Sequence, residues 1–165
     1  MAGAAAAGKS ILWRLATVAL LVLALDQATK LLVRLVFAAD LPLEVTGFFN
    51  LVLAYNKGVS FSLLTMDGPA GPYILAGLAL AIIAALVWWV HRNPRPFHAL
   101  LAGLIVGGAV GNMLDRLYLG AVVDFLDFHA FGWHWPAFNV ADSAVVIGAL
   151  CLIGDGLFQR RPESK

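Results

Sequence analysis

Four stretches of this chain are apolar for long enough to cross a lipid bilayer, and this constrains the fold more than any other feature. They cover about residues 11–35, 73–90, 97–117 and 139–158. A membrane-spanning helix needs roughly 20 mostly apolar residues. Of the 165 residues, 61% are hydrophobic and only 13% are charged, whereas about 25% are charged in a typical soluble domain. The sequence therefore predicts one all-α integral membrane domain, residues 1–165, with four transmembrane helices.

The first apolar run has an alternative interpretation as a secretory signal peptide. Lys9 and Arg14 precede the apolar segment 17–25, as the charged region of such a peptide precedes its apolar region. The apolar pattern continues through residues 31–37, however, which is longer than a signal peptide requires. This continuation favours a retained transmembrane helix.

The basic residues predict the orientation of the helices. Three regions must share a side if there are four spans, and they hold seven of the eleven Lys and Arg residues: Lys9, Arg14, Arg92, Arg95, Arg160, Arg161 and Lys165. The excess of basic residues assigns this side, with both termini, to the cytoplasm. The connections 37–72 and 119–137 then face outward. Four basic residues fall toward that outer side against the rule: Lys30, Arg34, Lys57 and Arg116.

Both outward connections have a distinctive composition. Residues 44–64 are rich in aromatic and β-branched residues and are interrupted by Asn56-Lys57-Gly58, which predicts a small strand or hairpin on the outer surface. The second connection has an aromatic density typical of the headgroup level of a bilayer. We interpret most of its aromatic residues as an interfacial belt and expect some to cover a substrate: Phe125, Phe128, Phe131, Trp133, Trp135 and Phe138.

Two carboxylates stand in apolar sequence. Asp124 follows two valines, and Asp142 opens the last apolar run. A carboxylate in hydrocarbon costs a few kcal/mol and therefore usually faces the protein interior for a functional reason. When two carboxyl groups lie close together, one keeps its proton. Such a pair can activate water and protonate a leaving amine, as in aspartic proteases.

Other chemistries fit the sequence less well. His129 and His134 lie in the outer connection, but no Ser or Cys nucleophile pattern accompanies them, and their spacing matches no zinc motif. We therefore expect no metal and no cofactor. Cys151 is the single cysteine and cannot form an internal disulfide. A formal net charge of +1 gives no reason to expect a nucleic-acid partner.

Further polar residues share faces of the helices near their outer ends. Residues four apart on a helix are neighbours on its surface. The sets are Asp26, Lys30 and Arg34 on the first helix, Asn112 and Arg116 on the third, and Asn139 with Asp142, three apart, on the fourth. They can be read as interhelical ion pairs and hydrogen bonds that hold the bundle together, or as the lining of a site.

Three other carboxylates are predicted to be non-catalytic. Asp115 stands beside Arg116, and the two can pair. Asp127 is expected to be exposed in the aromatic connection, without a polar companion. Asp155 is expected near the inner end of the fourth span.

Five motifs in order give the chain a specific resemblance. They are Asp26-Gln27-Ala28-Thr29-Lys30, Asn56-Lys57-Gly58-Val59-Ser60-Phe61, Gly107-Gly108-Ala109-Val110-Gly111-Asn112-Met113-Leu114-Asp115-Arg116, Val123-Asp124-Phe125 and Phe138-Asn139-Val140-Ala141-Asp142-Ser143. Between residues 11 and 158 the sequence resembles the lipoprotein signal peptidase (signal peptidase II) family.

This resemblance implies a function and a site. Members are aspartyl endopeptidases of the bacterial inner membrane that remove signal peptides from diacylglyceryl-modified prolipoproteins, cutting just before the lipidated cysteine, and globomycin inhibits them. The implied catalytic pair is Asp124 and Asp142, with partners limited to prolipoprotein substrates and membrane lipid, and with a monomeric chain. The implied substrate-binding or supporting residues are Asp26, Lys30, Asn56, Gly108, Asn112, Arg116, Asn139 and Ala141. The segment around Asn56 is expected to act as a lid.

Two alternatives of a different class remain at the level of sequence. Intramembrane acids and bases also occur in proton-coupled carriers, so a small carrier is the second hypothesis. The charges cluster toward one face rather than the bilayer midplane, which favours chemistry at the interface. A non-catalytic membrane scaffold would leave the paired acids without a role.

Overall fold

Four helices form the body of the protein in the computed structural model, which describes residues 2–38, 40–58 and 70–159. They are α1 (Ala2–Leu32, continued by a π-helical turn Val33–Phe37), α2 (Gly71–Arg92), α3 (Pro96–Leu119) and α4 (Val140–Gln159). Each contains a stretch long and apolar enough to cross a membrane: Ser10–Phe37, Gly71–Arg92, Pro96–Leu119 and Val140–Leu157. The predicted helical membrane fold is confirmed.

Local sequence signals set several helix ends. Pro72 and Pro96 stand in the first turns of α2 and α3, where a residue without an N–H leaves no hydrogen bond unmade. Gly120 ends α3 with a φ of 72°, and its N–H donates to the carbonyl of Arg116 at 3.1 Å. A left-handed residue of this kind is the usual stop for a helix, and glycine adopts it without strain.

Helix α3 lies at the centre of the bundle and packs against the other three helices. Small residues on α3 permit this: a Cβ at Gly107 would lie 2.5 Å from the carbonyl oxygen of Ala19 on α1. Close backbone approach through small residues is typical of helix association in lipid. The core of buried side chains comprises Ile11, Leu15, Val90, Ala99, Ala102 and Val106.

A four-stranded antiparallel sheet adjoins the helices. Its strands are β1 (Leu43–Thr46), β2 (Phe49–Asn56), β3 (Val122–Ala130) and β4 (Trp133–His134), in the order β1-β2-β3-β4. The β element expected within residues 44–64 is present as β1 and β2. The remainder of that expected element, from residue 59 onward, lies outside the described residues, as do residues 160–165.

Strand β3 was not predicted, and its burial explains why. Four consecutive residues, 122–125, are buried, so the strand lacks the apolar–polar alternation by which a half-exposed strand is recognised. β3 pairs with β2, which places Asn56 opposite Val122. The strand thereby carries its first residues in beside α3 and brings Asp124 to the helical bundle.

Candidate active site

Asp142 is fixed at the start of α4 by a reciprocal pair of hydrogen bonds with Asn139. The backbone N–H of Asp142 donates to Oδ1 of Asn139 at 2.9 Å, and the backbone N–H of Asn139 donates to Oδ2 of Asp142 at 3.2 Å. This is a capping box, which satisfies two N–H groups that have no partner within the helix. A carboxylate at a helix N-terminus is also stabilised by the helix dipole.

Asn139 connects the two predicted catalytic acids. Its side-chain Nδ2 donates to Oδ1 of Asp124 at 2.7 Å and also lies 3.2 Å from the carbonyl oxygen of Val123. Asn139 is fully buried. One amide thus contacts Asp124 through its nitrogen and holds Asp142 through its oxygen and backbone, so α4 and β3 present their carboxylates to a common centre.

Asp124 lies on β3, outside the transmembrane helices, and is buried. Burial, followed by the nearby charge of Asp142, raises the pKa of Asp124 from 3.8 to about 6, although hydrogen bonds from Asn56 and Asn139 and the charge of Lys30 oppose the rise. Nδ2 of Asn56 donates to Oδ2 of Asp124 at 3.1 Å. Asp124 is therefore a carboxyl group that can hold a proton at mildly acidic pH.

A chain of contacts joins Asp142 to a buried cation. Nδ2 of Asn112 donates to Oδ1 of Asp142 at 2.7 Å, while Oδ1 of Asn112 accepts from Nζ of Lys30 at 3.0 Å. Lys30 is 2% exposed and forms ion pairs with Asp26 at 2.7 Å and with Asp115 at 2.8 Å. Buried charges require such partners, so Lys30 links α1 to α3 directly beneath the acid pair.

Asp26 extends this network to the fourth helix. Its Oδ1 accepts the backbone N–H of Ala141 at 2.9 Å, and the residue is fully buried. Gly108 packs against the carbonyl of the same Ala141, which leaves no room for a side chain there. Asp26 therefore supplies a second cap for α4 from a neighbouring helix.

Arg116 and Asn56 meet at the outer end of β2. One guanidinium nitrogen of Arg116 donates to the carbonyl of Gly58 at 3.1 Å, and the other donates to the carbonyl of Asn112 at 3.2 Å. Oδ1 of Asn56 accepts the N–H of Gly58 at 3.0 Å. These contacts tie the described beginning of the expected lid to α3, whereas the rest of that segment lies beyond the part of the chain that the structure describes.

A groove of about 400 Å³ adjoins Asp142. It is mostly apolar and extends along α4 past Val146 and Ile147, whose side chains are exposed on the outer face of the helix. Its other lining residues are Asn56, Trp135, Pro136, Ala137, Phe138 and Ser143. An apolar ligand entering from the lipid side would reach the carboxylate of Asp142 through this groove.

The structure corrects two expectations about the remaining carboxylates. Asp127 is only 7% exposed, and it accepts hydrogen bonds from Asn50 and His134, so it is neither exposed nor without polar companions. Its alternation along β3 places it on a covered face, which the aromatic composition of the segment obscured. Asp115 pairs with Lys30 and not with Arg116, because its Oδ2 also accepts the N–H of Val123 at 3.1 Å.

Gln27 belongs to the network but was not singled out from the sequence. Its Nε2 lies 3.1 Å from Oδ1 of Asp115 and 3.2 Å from Oδ2 of Asp26. Its place between Asp26 and Lys30 in one motif was the available signal. Asp155 is remote from this centre and pairs with His98 at 2.7 Å. Within the described ranges, no three His, Cys, Asp or Glu residues are grouped so as to hold a metal ion.

The fold and this site define a multi-pass membrane protein with two carboxylates at the meeting point of a helix and a strand. Residues 18–158 match the family model of signal peptidase (SPase) II, and the chain belongs to that family of peptidases.

Known proteins show the same relationship. The chain is 51% identical over 144 residues to the lipoprotein signal peptidase of Paraburkholderia phytofirmans, covering 85% of this chain and 82% of the relative. It is 46% identical over 154 residues to that of Cupriavidus necator, covering 93% and 87%. A bacterial membrane enzyme solved in meso at 2.3 Å resolution is similar with a TM-score of 0.70 and 29% identity, covering 90% of this chain and 93% of that one.

Proposed function

We propose that this protein is an aspartyl endopeptidase that removes signal peptides from diacylglyceryl-modified prolipoproteins, cutting just before the lipidated cysteine. Membership of a peptidase family and relatives named lipoprotein signal peptidase support the reaction class. The observation that carries the mechanism is the amide of Asn139, which is hydrogen-bonded to Asp124 and Asp142 together. A pair of carboxyl groups so arranged suits general acid–base hydrolysis.

In this mechanism the ionised carboxylate of Asp142 accepts a proton from water as the water oxygen attacks the scissile carbonyl carbon. The carboxyl of Asp124 donates its proton to the carbonyl oxygen. The tetrahedral intermediate then collapses, the C–N bond breaks, and the proton held by Asp142 passes to the leaving amine. General acid–base assistance of this kind contributes about 10²–10⁴-fold in rate.

The surroundings of each acid support this division of roles. Asp142 accepts hydrogen bonds from Asn112 and from the backbone of Asn139 at a helix N-terminus, all of which favour the ionised form. Lys30 reinforces this through Oδ1 of Asn112. Asp124, with a pKa raised to about 6, is the member that holds the proton more readily.

The groove beside Asp142 supports a lipidated substrate. Its apolar wall along α4 suits an acyl chain or the apolar signal segment, and its end at the start of α4 suits a scissile bond at the membrane interface. The basic residues place the start of α4 toward the outer face of the bacterial cytoplasmic membrane, with both termini in the cytoplasm. Both acids and all the supporting residues come from one chain, so a monomer suffices.

The test is cleavage of a diacylglyceryl-modified prolipoprotein by the purified protein in detergent. Asp124→Asn and Asp142→Asn should each lower kcat at least about 10²-fold. Asp155→Asn, a carboxylate at the other end of α4, should cleave like wild type, and globomycin should inhibit both active proteins. Normal cleavage by either of the first two variants would remove that aspartate from the mechanism. Wild type that leaves the substrate intact would overturn the proposed function.

A further inference from the structure

A second polar cluster lies on the sheet, away from the acid pair. Both carboxylate oxygens of Asp127 lie 2.9 Å from Nδ1 of His134, and Oδ2 also accepts from Nδ2 of Asn50 at 2.9 Å. His129 stacks on His134 with ring centroids 4.8 Å apart, and its Nε2 lies 3.3 Å from Oδ1 of Asn50. The four side chains come from β2, β3 and β4, and none of them contacts the catalytic pair in the bonds described above.

The ionisation of Asp127 is consistent with its bonding. Burial alone would raise the pKa of this carboxyl, but the hydrogen bonds from Asn50 and His134 outweigh burial and hold the pKa below its usual value of 3.8. Asp127 is therefore an ionised acceptor at neutral pH, and a hydrogen bond from a neighbour to an ionised group is stronger than one to a neutral group.

The position of His134 gives this contact a consequence for the groove. His134 ends β4, a strand of only two residues. The next four residues, 135–138, form one wall of the groove beside Asp142. The backbone joins this wall to β3 through the N–H of Trp135, which donates to Phe128 at 2.8 Å, and through the pairing of Phe138 with Leu126. Proline at 136 has no N–H to add.

We propose that Asp127 and His134 form a clamp that positions the groove wall and thereby sets the affinity for the lipidated substrate. The clamp holds the chain at the residue where the wall begins. At the far end, Asn139 is held independently by its bonds to Asp124 and Asp142. Loosening the clamp should therefore displace the wall while the acid pair stays in place. Asp127 and His134 are positioning residues in this view, and the inference rests on the proposed function.

Two substitutions of His134 separate the hydrogen bond from other effects. His134→Leu removes the donor, whereas His134→Asn places an amide nitrogen close to the position of Nδ1 and can keep donating to Asp127. The loss of one such bond should raise KM for the diacylglyceryl prolipoprotein roughly fivefold with kcat almost unchanged. His134→Asn should restore KM to within about twofold of wild type. His91→Leu, an exposed histidine at the end of α2, serves as the control.

Three results would overturn the clamp: an unchanged KM in His134→Leu, a fall in kcat at constant KM, or failure of His134→Asn to restore KM. If His134→Leu does not fold, Asp127→Asn tests the same contact, since it keeps an acceptor and should raise KM by about twofold. Failure of the proposed function would be visible separately, because wild type would not cleave. In that case the dissociation constant of the same lipidated peptide, compared between wild type and the variants, decides the inference.

Discussion

At the scale of single residues, the proton on Asp124 governs the predicted pH dependence. The pKa of this carboxyl is raised to about 6 by burial and by Asp142. If Asp124 is the acid, kcat/KM should decline as the pH rises above about 6, because the protonated form is lost. The profile of kcat/KM between about pH 5 and pH 8 checks this. A profile that rises throughout that range would reverse the assignment of acid and base.

The same pKa makes a prediction about stability. The carboxyl of Asp124 binds its proton more tightly in the folded than in the unfolded protein, so folding stability falls as the pH rises from 3.8 to about 6. Asp124→Asn removes this penalty, and the variant should gain stability relative to wild type by up to about 3 kcal/mol above that window. Thermal unfolding of both proteins in detergent at pH 5 and pH 8 measures the gain, which should shrink at the lower pH.

Lys30 is predicted to stabilise the fold as well as the site. Lys30→Met would leave the carboxylates of Asp26 and Asp115 buried without their cation. Removing one partner from a buried ion pair typically costs about 3–5 kcal/mol. Lys57→Met, which changes an exposed lysine, should alter stability by less than about 0.5 kcal/mol. Equal unfolding temperatures for the two variants in detergent would contradict a structural role for Lys30.

Sequence reasoning located individual polar residues better than it paired them. Spacing along a helix placed Asp26 with Lys30, and the structure joins the two at 2.7 Å. Spacing could not show that Asp115 completes this ion pair, because the contact crosses between two helices. Burial of Asp127 was also invisible, since it depends on the strand that β2 provides opposite β3.

At the scale of secondary-structure elements, close packing of α3 on α1 depends on glycine. Gly107→Ala would place a methyl group 2.5 Å from the carbonyl oxygen of Ala19, so the helices must separate. Overpacking of this kind costs about 1–3 kcal/mol. Gly77→Ala on α2 meets no atom within 4 Å and should be neutral or stabilising by up to about 1 kcal/mol. Unfolding temperatures of the two variants in detergent make the comparison, and equal losses would argue against this packing role.

The elements were predictable to different degrees. The four helices follow from length and apolar composition alone, and proline or glycine marks several of their ends. Strand β3 does not follow, because its buried first half lacks alternation. As a result, Asp124 was expected within an apolar run of the membrane, whereas it stands on a strand against the helices.

At the scale of the whole molecule, the orientation in the membrane remains a prediction. In a Cys151→Ser background, Trp133→Cys on β4 should react with a membrane-impermeant maleimide added to intact spheroplasts. Asn93→Cys, in the link between α2 and α3, should react only after the membrane is permeabilised. Both positions are exposed. The opposite pattern would invert the topology and place the acid pair on the cytoplasmic side.

The whole bundle also explains how charged groups are kept in a membrane protein. The buried ion pairs and both acids lie together where α1, α3, α4 and β3 meet, whereas the faces of the helices that point away carry exposed leucine and isoleucine such as Leu20, Leu150 and Ile153. Each polar group in the centre has a partner on another element, which lipid could not supply.

The capping box at the start of α4 has a consequence for inhibitor resistance. An inhibitor that binds both carboxylates meets a geometry set by Asn139, the residue that also begins the helix. Substitutions that disturb this geometry would weaken catalysis and folding at the same time, so a bacterium could not select them without losing the enzyme. Viable resistance should therefore arise in the groove wall at residues 135–138, and compounds that make few contacts there should retain their potency longest.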